Sequence, residues 1–391
     1  MKKQTSPLAP RRQRDYAGVL SSILAILAGL LVGLIVLLAT NPSNAFPAFS
    51  ALITGGFYSG MKTFGNVLYY AVPIIMTGLG VGFGFKASIF NIGGAGQFIV
   101  GAFCGVYTAS VWNLPGALGW IVPLLASMIG GALWALLPGL LHAYRRVNIV
   151  IATIMMNYIG MYGVNFLVVE TIFDSQKNQS LPVAANANAP KLGMDQIFRS
   201  GASASSVNAG IFVAILAGII IYFLIEKTKF GYELKACGYN RDAAKYAGIN
   251  EKRSIILSMA IAGSLCALGG ACLYLAGAGK GIEVVDTLAA EGFNGIPVAL
   301  LGLNNPIGII FAGLFMAYLN QGGFNMQLYG FAPQVIEIII AVIIYFAAFS
   351  LLLRGLVSRV VKRAGKNKTP GENANAEPGK DMGAVKGGGK E

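Results

Sequence analysis

The sequence predicts an all-α integral membrane protein of about ten transmembrane helices, with both termini cytoplasmic. Three observations predict it. Of 391 residues, 55% are hydrophobic and only 12% are charged, against about 25% charged in an ordinary soluble domain. The apolar residues gather in runs of about twenty, which is what ~30 Å of hydrocarbon requires at 1.5 Å per helical residue. No segment shows the period-two alternation of a membrane barrel strand. The mean hydropathy of +0.65 excludes a soluble enzyme, a disordered chain and a secreted disulfide scaffold. A net charge of +13 does not make a nucleic-acid binder, because no polar domain exists to carry a basic face.

The elements follow in order. Residues 1–15 form a basic cytoplasmic N-terminus, and the run Tyr16–Ala39 is too long for a cleaved signal core, so it is a retained first span. Residues 41–63 form an external interfacial segment with Phe46, Phe49, Phe57 and Tyr58. Then come Gly65–Phe85, Ile92–Trp112, Ala117–Leu140 and Ile149–Val169. A polar external loop at 170–207 precedes Ala209–Ile225, the cytoplasmic loop 226–253 and Ile255–Ala276. Glu291–Asn320 is interrupted by Asn304-Asn305-Pro306, where proline stops a helix, and reads as two short passes, about 291–303 and 306–320. Val335–Leu353 closes the transmembrane domain 16–353. The tail 354–391 is basic and disordered in composition.

Charge orients these spans. The first 15 residues carry +4, and residues 226–253 hold seven Lys/Arg against four Asp/Glu. The tail holds nine against four, whereas the 170–207 loop is balanced at three each. Lys/Arg-rich segments stay cytoplasmic. Only with the proline-broken stretch counted as two passes does the basic tail end inside.

Few residues could carry chemistry. Cys104, Cys237, Cys266 and Cys272 lack ligand spacing, and the single histidine, His142, argues against a metal centre or a triad. No metal and no cofactor is expected. Gly277-Ala278-Gly279-Lys280-Gly281 imitates a phosphate loop, but Tyr274 and Gly281 stand where the motif needs Gly and Ser/Thr. Pairs such as Gly78–Gly82 and Gly101–Gly105 suit close helix packing. The informative groups are polar and sit in apolar context: Asn91 and Gln97 at the start of the third span, Asn157 in the fifth, Asn294 at the start of the broken stretch, and Glu337. Asn91 either caps a helix or faces a solute, and Asn157 either ties helices or lines a polar path. Glu337 is an ionisable group in a span, although its place near the outer end also allows snorkelling. Phe90-Asn91 and Phe293-Asn294 open helices of opposite direction, as in a pair of inverted repeats around a transport path.

The loop 226–253 is the other anomaly, since a plain connector needs about 2–8 residues. Residues 240–247 read as a short docking helix. Asp242 suits a helix start, while Ala243, Ala244 and Ala247 offer a small face. Arg241 and Lys245 can reach acidic groups of a partner, and Gly238 and Gly248 let the chain enter and leave sharply.

Four segments in order resemble a known family. They are Phe-Asn-Ile-Gly-x-x-Gly-Gln at 90–97, Ile-Met-Met-Asn-Tyr-Ile at 154–159, Ala-x-Gly-x-Asn-x-x-Ala-Ala-x-Tyr-Ala-Gly-Ile at 236–249, and Gly-Phe-x-Gly-Ile-x-Val-Ala-Leu-Leu-Gly at 292–302. Together they resemble permease subunits of bacterial ATP-binding-cassette importers, in the nucleoside branch that neighbours ribose and branched-chain amino-acid permeases. The chain departs from the family pattern at Gly94-Ala95, Ile149 and Lys235. The resemblance implies translocation of nucleosides, or of a related ribose-containing or sugar solute, across the bacterial plasma (inner) membrane. It implies a separate cytoplasmic ATPase, a second permease, identical or different, and an extracytoplasmic binding protein. An ion-coupled secondary transporter is the alternative, and the small number of charges in the spans speaks against it.

Overall fold

In a computed structural model, residues 16–346 are described, except 59, 278, 343 and 344. The basic segments 1–15 and 354–391, and the end of the last run to Leu353, lie outside the described residues. By internal packing the chain separates into residues 25–348 and a second unit, residues 1–24 and 349–391. Of that second unit, only 16–24 is described, as the start of one helix.

Among the described residues, the elements are helical apart from two tiny hairpins. Helix α1 spans Tyr16–Thr40 and α2 Ala45–Ile53. The long helices α3 (Met61–Lys86), α4 (Gly94–Val111), α5 (Leu118–Arg145) and α6 (Ile149–Thr171) follow. The expected polar loop carries hairpins β1 (Phe173–Asp174) with β2 (Gln179–Ser180), and β3 (Arg199–Ser200) with β4 (Ser203–Ala204), around the one-turn α7 (Met194–Ile197). Then come α8 (Gly210–Lys227), α9 (Lys229–Tyr239), α10 (Arg241–Tyr246) and α11 (Glu251–Tyr274). The last are α12 (Ala290–Leu301), α13 (Pro306–Met326) and α14, described over Pro333–Val342. Among the described residues, seven helices are long and apolar enough to cross a membrane.

The proline-broken stretch is two helices, as expected, and the cause is local. Leu303 and Asn304 both take left-handed backbone angles, which ends α12. Asn305 then caps α13, its Oδ1 accepting from Ile307 N at 3.0 Å, with Pro306 in the first turn where a missing N–H costs nothing. Helix α12 measures only about 18 Å at 1.5 Å per residue.

Helices α3 and α11 are the most enclosed. Small residues allow it. In α4, Gly101 and Gly105 lie against Ala267 and Ala271 of α11, so the expected packing role of this pair holds. In α5, Gly131 lies against the same Ala267, and a methyl group there would come within 2.5 Å of Gly263 O. Ser127 Oγ donates to Ala267 O at 2.7 Å. Three helices thus meet at backbone distance around one alanine, the close approach that small residues permit in membranes. In α3, Gly78 and Gly82 make room for Val298 and Ile309 of α12 and α13.

The bundle has two distinct ends. At one, the start of α3 meets the hairpin loop, with Gly65 against Ser205, and the start of α5 meets it at Gly119 and Asn186. The strand at Ser180 pairs with Ile282 through Ser180 N to Ile282 O at 2.8 Å. The 277–281 glycines therefore belong to a loop clipped onto this hairpin, and the next helix begins only at Ala290. At the other end lie Lys86, Arg145, α9 and α10. There Ser88 Oγ donates to Gly238 O at 2.6 Å.

Candidate functional site

Two helices begin in the middle of the bundle. The chain leaves α3 at the basic end and turns back through Ser88–Gly93 before α4 starts. Gly94 lies against Gly292 O, and a methyl group there would sit 2.7 Å from that oxygen. Gly292 in turn abuts Ala95, so the first turns of α4 and α12 touch through backbone. The depth is marked by α3: Thr77, sixteen residues into that helix, donates through Oγ1 to Pro73 O at 2.9 Å, and the same hydroxyl lies 3.2 Å from Glu291 O. Gly295 packs on the Thr77 backbone. The segments Phe90–Gln97 and Glu291–Pro297, singled out separately by sequence, form one juncture. Helix N-termini carry unpaired N–H groups and partial positive charge, and helix N-termini set inside a bundle face solute sites in transporters.

The polar residues predicted here divide into two groups. Asn91, Gln97 and Asn157 come together and are essentially unexposed. Asn91 Nδ2 donates to Gln97 Oε1 at 3.0 Å, and Gln97 Nε2 donates back to Asn91 Oδ1 at 3.2 Å. Asn91 Oδ1 also accepts from Gly93 N at 2.9 Å, a local turn. The cap of α4 comes from elsewhere. Gly93 has no side chain to offer, and Asn157 of α6 supplies it: its Oδ1 accepts from Gly96 N at 2.8 Å while its Nδ2 donates to Ile92 O at 3.0 Å. Of the two readings of Asn157, tying helices together is the one this geometry carries. Asn294 is half-buried in α12 and, among the described residues, makes no side-chain hydrogen bond. Glu337 stands apart from these four. It is exposed on α14, whose inward residues Ile336 and Ile339 pack with Leu37, Leu52, Leu319 and Met326 in a separate cluster.

Sequence reasoning missed a vestibule. A cavity of about 520 Å3 reaches from the hairpin-loop end to Glu291 at the start of α12, and Asn165, Tyr274, Lys280 and Glu283 line it. Its walls come from α4, α6, α11 and the 279–289 loop, elements with no shared motif.

At the basic end, the loop 226–253 holds two helices, α9 and α10, joined at a corner where Asn240 takes extended backbone angles. Thr228 caps α9, Asn240 caps α10 through Ala243 N at 3.0 Å, and Asn250 caps α11 through Arg253 N at 3.1 Å. A short helix, α10, stands where one was expected, but its faces differ from expectation. Ala244 is 4% exposed and turns inward. Ala243, Asp242, Lys245 and Ala247 face out. Arg241 pairs with Glu251 at 3.6 Å. Gly248, at φ +79°, makes the sharp exit expected of it. Gly238 makes no sharp entry: it is helical, in α9, and packs on the carbonyl of Lys86. Tyr239 and Tyr246 were not singled out, yet both are more than nine-tenths exposed and flank this corner. A cleft of about 790 Å3 lies beside them, lined by His142, Arg146, Arg241, Lys245 and Glu251 among others.

Comparison with known proteins places this architecture. Residues 63–348 match the family model described as "Branched-chain amino acid transport system / permease component". The chain is 34% identical over 347 residues to a guanosine ABC transporter permease protein of Bacillus subtilis, covering 88% of this chain and 97% of that one. It is 33% identical over 364 residues to a nucleoside ABC transporter permease protein of Lactococcus lactis, covering 91% and 98%. A glucose ABC transporter permease protein of Haloferax volcanii is 33% identical over 331 residues, covering 83% and 85%. No solved structure matches.

Proposed function

Since this chain belongs to the family of branched-chain amino acid transport system permease components, we propose that the solute it carries across the membrane is a nucleoside. As a permease component the chain is a multi-pass membrane protein that passes solute and leaves ATP hydrolysis to a separate subunit. The observation that carries the nucleoside reading is similarity along nearly the whole chain to two relatives named for guanosine and nucleosides. The glucose-named relative supports a sugar as the second reading.

The path runs from the vestibule to the juncture of α4 and α12 and leaves toward the basic end. An extracytoplasmic binding protein delivers solute at the hairpin-loop end. The basic end is cytoplasmic by the excess of Lys and Arg there. The amide knot of Asn91, Gln97 and Asn157 holds the α4 terminus in place, and Asn294 is the amide with capacity left for solute. The ATPase docks on α10 and its flanking tyrosines, with Lys245 and Asp242 at the rim. Aromatic side chains left in water at a corner of capped helices suit an interface core. A second permease, another copy or a similar chain, completes the path.

Uptake of radiolabelled guanosine, uridine and glucose by cells with this gene deleted and restored tests the reading. Restored nucleoside uptake is expected. Restored glucose uptake with nucleoside uptake unchanged would favour the sugar reading instead.

A further inference from the structure

A second cavity, of about 410 Å3, opens between α3 and α13 and is lined by Asn66, Tyr70, Asn320, Gln321 and Phe324. Its size falls within the ~300–1,000 Å3 of small-molecule sites. It lies at the hairpin-loop end, because Asn66 Oδ1 accepts from Ser206 N of that loop at 3.2 Å.

The hydrogen bonding of α13 sets Asn320 and Gln321 apart. Tyr318 donates to Ile53 O, and Asn325 donates to Gly55 O at 3.1 Å, so both fasten α13 to the α2 region. Asn320 and Gln321 are half-buried between them and, among the described residues, make no side-chain hydrogen bond. A partly desolvated amide normally finds a partner. Packing needs explain neither residue, since leucine would fill the same space at less cost. The aromatic pair is similarly placed. Tyr69 is buried and spends its hydroxyl on Leu273 O at 2.9 Å, whereas its neighbour Tyr70 is 38% exposed toward the cavity. Phe324 is 66% exposed on the other side. Lys280 Nζ stands 5.0 Å from the Tyr70 ring centroid, and Lys280 also lines the vestibule. The two cavities therefore adjoin at Tyr70.

We infer that this cavity is an entry subsite for the base of the transported nucleoside, with Tyr70 and Phe324 as flat apolar faces and Asn66, Asn320 and Gln321 reading the base edge. The inference rests on the nucleoside reading above. Carboxamides both donate and accept, which suits the mixed edge of a neutral heterocycle, and aromatic faces stack on any base. Among the described residues the lining carries no charged side chain, and Lys280 stands at the Tyr70 ring, on the vestibule side, so the lining itself suits a neutral base. The solute would be received here and passed beneath Tyr70 into the vestibule.

The test uses the complete transporter in cells lacking other nucleoside uptake. The double variant Asn320→Ala/Gln321→Ala and the variant Tyr70→Ala are compared with Tyr70→Phe at equal membrane abundance. Capture by the binding protein sets half-saturation, so the effect is read in the maximal rate. Both alanine variants are expected to lose about tenfold for guanosine: two neutral hydrogen bonds carry that factor in the amide variant, and one stacked aromatic face carries it in Tyr70→Ala. Tyr70→Phe should stay within about twofold, since stacking needs the ring alone, and the guanosine-to-uridine ratio should change in the amide variant. In a second arm, Gln321→Cys is labelled in intact cells by a membrane-impermeant maleimide. Excess guanosine should slow the labelling and ribose should not. Unchanged rates and ratios in an active transporter overturn the subsite while leaving the nucleoside reading intact. Labelling indifferent to guanosine means a lipid-filled groove and overturns it too. If the unmodified transporter carries no nucleoside, the reading beneath falls and the subsite with it.

Discussion

Replacing Asn157 with alanine separates a positioning role from a solute contact. Asn157 is the cap that α4 lacks in its own sequence: it accepts from Gly96 N at 2.8 Å and donates to Ile92 O at 3.0 Å. Truncation leaves one buried donor, Gly96 N, and one partly buried acceptor, Ile92 O, without partners, each costing about 1–3 kcal/mol. About 4 kcal/mol is the central expectation. At about 2.1 cal/mol/K of unfolding entropy per residue, a chain of 391 residues loses about 1.2 °C of Tm per kcal/mol, so the midpoint in detergent should fall by about 5 °C. The α4 terminus should also drift from Gly292, and the uptake rate should fall with it. The guanosine-to-uridine ratio should not move, because the amide faces protein and not solute. Asn320→Ala is the control. Its side chain makes no hydrogen bond among the described residues, so its Tm should stay within about 1 °C, consistent with a cost below about 0.5 kcal/mol. An Asn157→Ala protein with an unaltered midpoint and an altered ratio would refute the capping argument and return Asn157 to the solute path.

Other outcomes follow from the same geometry. Tyr246→Ala and Ala247→Glu should leave the bundle folded, because both side chains face water, yet lower co-purification of the ATPase at least tenfold; normal pull-down in both would sink the docking role. Ala244→Asp is expected to unfold the corner instead, since it buries a carboxylate, and loss of α10 protection in hydrogen exchange would register it. Gly131→Leu should reduce folded protein in the membrane, because Gly131 lies against Ala267 and Gly263, and overpacking costs about 1–3 kcal/mol or more; unchanged expression and Tm would contradict the three-helix contact. A Leu303→Cys variant reports on topology, since Leu303 is exposed at the turn between α12 and α13. With ten crossings, this turn is cytoplasmic and a membrane-impermeant maleimide applied outside whole cells should not reach it; labelling from outside would remove the ten-crossing arrangement.

Much of the fold was legible because hydrophobic run length and proline chemistry act locally. The break at Asn304-Asn305-Pro306 needs only a cap and a missing N–H, both written in neighbouring residues. The depth at which a helix begins is another matter. Nothing near Gly94 states that α4 starts at the level of Thr77, because that depth is fixed by Gly292 and Asn157, which lie about 200 and 60 residues away in the chain. The α9–α10 corner shows the same division: Gly248 announces its exit turn, but which alanine points inward depends on how α10 leans on the bundle.

The amides make the sharpest case. Asn157 and Asn320 are the same residue in similarly apolar helices, and by composition each is an equal candidate for contact with solute. The difference lies in whether the hydrogen-bonding capacity is already spent. Asn157 is consumed by Gly96 and Ile92, so a solute could reach it only by undoing the end of α4. Asn320 has its capacity intact beside an open cavity. A buried polar group that is fully satisfied rigidifies what surrounds it, and one left open is costly until something binds. Selecting solute-facing residues in this bundle therefore means looking for unspent amides next to aromatic faces, which moves attention from the knot beneath α4 to the mouth between α3 and α13.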